Sequence, residues 1–210
     1  PVGLFQTIAD LLKMLQKEDI KPDAADKPLF LLAPIVVFTA IFAGYAVFPL
    51  TGGVAGAGLQ AGVFYLLAVV SIDVLGILMA GWGSNNKYSL YGAMRSVAQI
   101  ISYEIPLGLA VLCVVMYSQS LDLQSITLQQ GLSETPVYLM GIKGLDVSAS
   151  GGFLTWNIFT MPLMWLVFLI FFIAGLAEAN RVPFDLPESE SELIGGYHTE
   201  YSGFRWGLFM

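Results

Sequence analysis

Long apolar stretches alternate with polar segments along this sequence of 210 residues. The apolar stretches lie at residues 28–50, 59–81, 97–117 and 153–177, and another starts near 203. At 1.5 Å per residue, the first covers about 34 Å as a helix, enough to cross the hydrocarbon core of a bilayer. Pro34, Pro106 and Pro162 fall inside these stretches, which membrane helices accept when neighbours satisfy the freed carbonyls. The pattern predicts one all-α, multi-spanning transmembrane domain with four complete spans and the start of a fifth.

In residues 1–27, ahead of the first span, the apolar residues recur with the period of an α-helix and do not form a continuous run. One 120° arc of the helical wheel holds the apolar side chains Leu4, Phe5, Ile8, Leu11, Leu12 and Leu15. The polar side chains opposite this arc are Gln6, Asp10, Lys13 and Lys17. This pattern favours an amphipathic helix in the membrane interface. The alternative is a helix that packs on a soluble partner without lipid contact.

The basic residues predict the orientation in the membrane. Lys143 falls on one side of the predicted spans, and the basic residues on the other side are Lys13, Lys17, Lys21, Lys27, Lys87, Arg95, Arg181 and Arg205. Cytoplasmic loops carry the excess of Lys and Arg. The N-terminal segment, the loop at residues 82–95 and the loop at residues 178–202 are therefore expected on the cytoplasmic side, or on the matrix side of a mitochondrion.

Composition narrows the functional classes. The chain is 56% hydrophobic and 12% charged, with a mean hydropathy of +0.73, which is beyond what a soluble core requires. The net charge of −7 and the lack of a basic run argue against nucleic-acid binding. With one cysteine, Cys113, and one histidine, His198, the chain has no ligand set of its own for an iron–sulfur cluster or a bis-His haem. No metal site is predicted, and any redox centre is expected in a partner.

Because the sequence starts without Met and stops in an apolar run, we expect a piece of a longer chain.

Two carboxylates interrupt the predicted spans. Asp73 and Glu104 both lie roughly 10–12 Å from the cytoplasmic ends of their spans. Ionisation is costly at that depth, which suits a group that takes up and passes on a proton. The alternatives are a protonated acid hydrogen-bonded to a neighbouring helix, or an acid facing a passive water pocket.

Acids continue through the loop at residues 178–202. They are Glu178, Asp185, Glu188, Glu190, Glu192 and Glu200. Pro183 and Pro187 hold this loop in extended geometry. A rigid loop with Arg181, Phe184 and Asp185 at a membrane mouth suits a polar, ring-shaped head group with its tail in lipid, such as a quinone. The alternative is an ordinary solvated acidic face.

The order of motifs resembles one family over nearly the whole chain. The motifs are Ala177-Glu178-Ala179-Asn180-Arg181-Val182-Pro183-Phe184-Asp185-Leu186-Pro187-Glu188, Gly81-Trp82-Gly83-Ser84-Asn85-Asn86-Lys87-Tyr88-Ser89, Gln99 with Ser102-Tyr103-Glu104, and Glu200-Tyr201-Ser202-Gly203. They resemble the NuoH family, the membrane subunit of respiratory complex I, the proton-translocating NADH:quinone oxidoreductase. Relative to that family, the first transmembrane helix and the last ones lie outside this sequence.

The resemblance implies a role for each candidate residue. The residues that match the quinone chamber and its access path are Arg181, Phe184, Asp185, Asp10, Trp206 and Phe209. The residues that match the proton path are Glu104, Glu178, Glu188, Glu190 and Glu192. Quinone would be the substrate, and the iron–sulfur clusters and flavin would belong to partner subunits of the peripheral arm.

The resemblance implies that the protein lies in the bacterial plasma membrane in preference to the mitochondrial inner membrane. The implied partners are lipid, quinone and the adjacent complex I subunits. Three alternatives stay open. One is the membrane subunit of an energy-converting hydrogenase, which would keep the proton route without quinone. Another is an ion-path subunit without a redox partner, and the third is a purely structural anchor whose intramembrane acids are buried and inert.

Overall fold

A computed structural model of the chain describes residues 3, 5–51, 54–131, 136–142, 144–148, 152–185 and 194–209. These residues are mostly helical, as the apolar pattern predicts. The α-helices are α1 (Gln6–Gln16), α2 (Lys27–Gly44), α3 (Gly62–Gly83), α4 (Lys87–Ser118), α5 (Leu123–Gln129), α6 (Asn157–Thr160), α7 (Leu163–Glu178) and α8 (Gly203–Gly207). Short 3₁₀ turns are Tyr45–Val47, Leu139–Gly141, Gly152–Thr155 and Gly196–His198. A small antiparallel ribbon pairs β1 (Pro49–Thr51) with β2 (Val54–Ala55).

Three helical segments in the described part of the chain are long and apolar enough to span a membrane: Lys27–Val47, α3 and α4. The first two lie close to the stretches that the sequence predicts at residues 28–50 and 59–81. Pro34 and Pro106 lie inside α2 and α4, as expected.

Helix α4 begins at Lys87 instead of residue 97, so the predicted loop at residues 82–95 is wrong over its second half. Asn86 caps the new first turn, because its Oδ1 accepts the Tyr88 N–H at 2.9 Å. Ser89, Gly92 and Ser96 are buried in these early turns. Small and polar residues lower the average hydropathy of this part of α4, which is why the apolar pattern does not detect it.

Helix α7 is shorter than the predicted span at residues 153–177. It begins at Leu163, and its 16 residues cover about 24 Å. Pro162 precedes the helix instead of lying inside it, so the prediction for Pro162 is wrong. A proline has no N–H to donate and is favoured at a helix start, where that donor has no helical partner.

The described residues form two compact units, and the first comprises Pro1–Ile41, Val70–Gln99 and Phe184–Met210. Small residues bring its helices together. Gly76 of α3 lies against Val37 of α2, and Gly81 lies against Ala93 of α4. Ala33, Ala80 and Ala93 are fully buried. Small side chains of this kind allow close packing of helix backbones in lipid, where no hydrophobic force draws helices together.

The second unit comprises Phe42–Val69 and Ile100–Pro183. Its apolar core joins Ala110 of α4 to Met164 and Val167 of α7. The Tyr117 hydroxyl donates to Thr160 Oγ1 at 3.2 Å. Asp122 caps α5 by accepting the backbone N–H groups of Gln124 and Ser125 at 3.2 and 3.1 Å.

Candidate functional site

The chain leaves α7 through a turn that is set by Asn180. Asn180 has φ of +47°, and its N–H donates to Ala177 O, while the next N–H, of Arg181, donates to Leu176 O at 3.1 Å. This pair of bonds is the Schellman arrangement, in which a left-handed residue satisfies the last carbonyls of a helix. Asn tolerates the left-handed conformation better than most residues. The turn ends α7 just after Glu178 and leaves the Arg181 side chain exposed.

The first unit holds the next predicted residues, Phe184 and Asp185. The buried amide of Gln99 on α4 donates to Phe184 O at 2.8 Å, which fixes the backbone there. Asp185 is half-buried, and its Oδ1 atom is buried without a hydrogen-bond partner among the described residues. A carboxylate oxygen in that state can accept a further hydrogen bond.

His198 lies within electrostatic range of Asp185. Burial lowers the pKa of its imidazole below the usual 6.5, and the Asp185 charge opposes that change. His198 is therefore mainly neutral at neutral pH. It has one donor and one acceptor nitrogen in that form.

The ring of His198 belongs to a cluster of aromatic side chains, which we call the aromatic cluster. Its members are Phe30, Tyr197, His198, Tyr201, Trp206 and Phe209. Trp206 contacts His198 edge-on at 6.0 Å between centroids. Phe209 contacts Tyr197 at 5.5 Å and Tyr201 at 4.8 Å, again edge-on. These separations lie in the favourable range for aromatic pairs.

Tyr201 connects the aromatic cluster to α2. Its ring stacks on Phe30 at 4.1 Å, and its hydroxyl donates to Phe30 O at 3.1 Å. Burial raises the pKa of the Tyr201 phenol, and Arg205 partly opposes this shift. The phenol therefore stays protonated as a donor.

The start of α4 holds the backbone of the aromatic cluster in place. Ser89 Oγ donates to Tyr197 O at 2.7 Å, and Asn86 Nδ2 donates to Glu200 Oε1 at 2.6 Å. Gly92 lies directly against Gly196, because a Cβ on Gly92 would come within 2.7 Å of the Gly196 backbone. The two motifs at residues 84–89 and 196–203 are thus one packed structure.

Asp10 lies on α1, exposed, and accepts a hydrogen bond from the Gln6 side chain at 3.0 Å. Helix α1 contacts α8, which carries Trp206. The predicted apolar arc is exposed at its described residues, with Phe5 77% and Leu12 51% accessible, and Leu4 lies outside the described residues.

The structure describes only some of the candidate residues for the proton path. Glu104 on α4 and Glu178 at the end of α7 are half-buried in the second unit. Asp73 is half-buried on α3, and its Oδ1 has no hydrogen-bond partner among the described residues. Glu188, Glu190 and Glu192 lie outside the described residues.

The structure therefore places two of the predicted chamber residues in the aromatic cluster: Trp206 contacts the His198 ring, and Phe209 contacts Tyr197 and Tyr201. The charge of a third, Asp185, acts on the His198 imidazole. The motifs gave no site role to His198, Tyr197, Tyr201 or Gln99. A signal for His198 was present, since it is the one histidine of the chain and lies between Tyr197 and Tyr201.

Comparison with known proteins identifies relatives of this chain. The family model described as NADH dehydrogenase matches residues 1–210. An H subunit of NADH-quinone oxidoreductase from Cytophaga hutchinsonii is 53% identical over 215 residues, which cover 99% of this chain and 59% of the relative. The H subunit from Chlorobaculum parvum is 51% identical over 206 residues, covering 98% of this chain and 53% of the relative. The corresponding protein of Bacillus cytotoxicus is 49% identical over 208 residues, covering 99% and 55%. This chain spans somewhat more than half the length of these relatives.

Proposed function

Because the chain belongs to the NADH dehydrogenase family, we propose that it is part of the membrane subunit of a bacterial, proton-pumping NADH:quinone oxidoreductase. In this proposal it forms one wall of the quinone chamber and links quinone reduction to proton translocation through its carboxylates. The quinone is the substrate, and electrons reach it from an iron–sulfur cluster in a partner subunit. The other partners are the adjacent membrane-arm subunits and the lipid.

The observation that supports the quinone role is the contact of Trp206 with His198 in the aromatic cluster, where the charge of Asp185 also acts on the imidazole. A quinone head is a flat ring with two carbonyl oxygens, so it is recognised by aromatic faces and by hydrogen-bond donors. The aromatic cluster supplies aromatic side chains, and neutral His198 carries one ring N–H group among them. Gln99 holds the Phe184 backbone at the edge of this region, with Arg181 three residues before Phe184.

The proton route is proposed to run through Glu178 and Glu104, with Glu188, Glu190 and Glu192 between the chamber and the membrane. When an anionic quinone species forms, its charge raises the proton affinity of nearby carboxylates and draws protons in. Release of the neutral product reverses that effect. Glu104 and Glu178 are half-buried, so neither residue is fully withdrawn from its surroundings, which supports this role.

Two substitutions in the full-length protein of the assembled complex test the proposal. Arg181→Ala is expected to lower the rate of quinone reduction, because it removes a cation from the chamber loop. Glu104→Gln is expected to lower proton uptake by membrane vesicles more than quinone reduction. Glu18→Gln, which neutralises an exposed acid outside the proposed route, is the matched control. Wild-type reduction and wild-type pumping in both variants would reject the assignments.

A further inference from the structure

A set of polar contacts fastens the chain after α1 to the chain around α8. Ser202 Oγ accepts the Ile20 N–H at 2.9 Å and donates to Glu18 O at 3.0 Å. Arg205 Nη2 pairs with Asp19 Oδ2 at 2.8 Å. We call these contacts of residues 18–20 with Ser202 and Arg205 the clasp. The Ser202 bonds join segments that are more than 180 residues apart in sequence.

Backbone packing reinforces the clasp. Gly203 has φ of +59°, and a Cβ there would lie 3.0 Å from Lys17 O. A side chain at position 203 is therefore disfavoured both by conformation and by the close approach of the α1 end. One turn further along α8, Gly207 faces the Met14 sulfur.

The clasp lies beside the contact between α1 and α8. Met14 is the one half-buried residue of α1, the others being exposed. Asp10 precedes Met14 by four residues, so it lies one turn earlier on the same face. The exposed apolar arc of α1 is left for the lipid, with Ile8 and Leu15 more than half accessible.

We propose that Ser202 and Arg205 are positioning residues that set the separation between α1 and α8, and hence the selectivity of the site for the quinone tail. This inference rests on the proposed quinone function. Asp10 on α1 and Trp206 on α8 are candidates for the access path, and the clasp fixes the spacing of the two helices that carry them. A tail must lie in this path while the head reacts, so a loosened clasp weakens binding of a long tail without changing the chemistry at the head.

The expected change in the KM for quinone follows from the solvent exposure of the ion pair between Arg205 and Asp19. The side chains of Arg205 and Asp19 are 20% and 42% exposed, so solvent partly screens their attraction. Loss of one such pair or of one bridging hydroxyl loosens the clasp without unfolding it. The KM for a long-tailed quinone is expected to rise about three- to tenfold.

The experiment uses the full-length protein in the assembled complex, in membrane vesicles, with Arg205→Ala and Ser202→Ala compared with wild type. Initial rates are measured with a long-tailed polyisoprenoid quinone and with a short-tailed quinone that has the same head. Lys21→Gln is the matched control, because Lys21 contacts the same Asp19 only at 3.9 Å. Arg205→Lys is the conservative variant, expected to recover most of the wild-type KM because it keeps the charge.

The inference is supported if the KM rises for the long-tailed quinone while kcat and the short-tailed kinetics stay at the wild-type level. It is overturned if both quinones are affected equally, or if neither is affected, in a complex that assembles normally. If Arg205→Ala does not assemble, the milder Ser202→Ala variant decides the question on the same criteria. Absence of quinone reduction in the wild type and in Lys21→Gln would instead overturn the proposed function.

Discussion

Gly92→Ala provides the sharpest test of how α4 supports the aromatic cluster. The added methyl carbon would lie 2.7 Å from two Gly196 backbone atoms and 2.8 Å from the Tyr197 nitrogen. Ordinary contact begins near 3.4 Å, so the two segments must separate by about 0.7 Å. Because all the opposing atoms belong to backbone, no side chain can rotate out of the way.

The change in the free energy of unfolding caused by Gly92→Ala is the sum of two opposing effects. Overpacking of this kind typically destabilises by about 1–3 kcal/mol. Alanine in a helix interior recovers up to about 1 kcal/mol relative to glycine. The net expectation is a loss of about 1–2 kcal/mol, together with displacement of Tyr197 and His198. Gly108→Ala, in the same helix but with nothing within 4 Å of its added Cβ, gains the helical preference without the clash.

The assay compares the apparent thermal midpoint and the quinone reduction rate of the solubilised complex carrying either substitution. Gly92→Ala is expected to lower the midpoint by about 2–8 °C and to slow reduction, whereas Gly108→Ala leaves the rate unchanged and the midpoint equal or higher. Equal midpoints and rates for the two variants would refute the packing of Gly92 on Gly196.

Two further predictions concern the residues around Asp185. Gln99→Leu keeps the volume of the buried side chain but removes its 2.8 Å bond to Phe184 O, so quinone reduction is expected to fall about fivefold in steady-state assays, with normal assembly. For His198, burial lowers the folded-state pKa below 6.5, so protonation favours the unfolded form, and stability is expected to decrease as the pH falls below that value. The thermal midpoint measured across this pH range should depend less on pH in His198→Asn than in wild type, and an unchanged dependence would contradict the assignment.

Much of the fold follows from local sequence, because continuous apolar runs specify spans almost independently of tertiary contacts. Helices α2 and α3 lie where the pattern predicts them. The start of α4 does not lie where the pattern predicts. Ser89 and Gly92 are buried there by contact with Tyr197 and Gly196, about a hundred residues away in sequence. A hydropathy average contains no information about such distant partners.

The candidate site was predicted in part. The motifs indicated Asp185, Trp206 and Phe209, and the structure places Asp185 near His198 and the other two in the aromatic cluster. His198 and Tyr201 were not assigned a role, because aromatic contacts between separate segments leave no periodic signal. The roles of Glu104, Glu178 and Arg181 stay predictions.

The left-handed turn at Asn180 also limits how this chain can diverge in evolution. A side chain branched at Cβ is disfavoured at a φ of +47°, so Asn and Gly are the residues that fit position 180 with least strain. Two residues later, Val182 is 79% exposed and is free of that restriction. Position 180 is therefore more restricted than position 182, and the restriction arises from how a helix ends, independently of any catalytic demand.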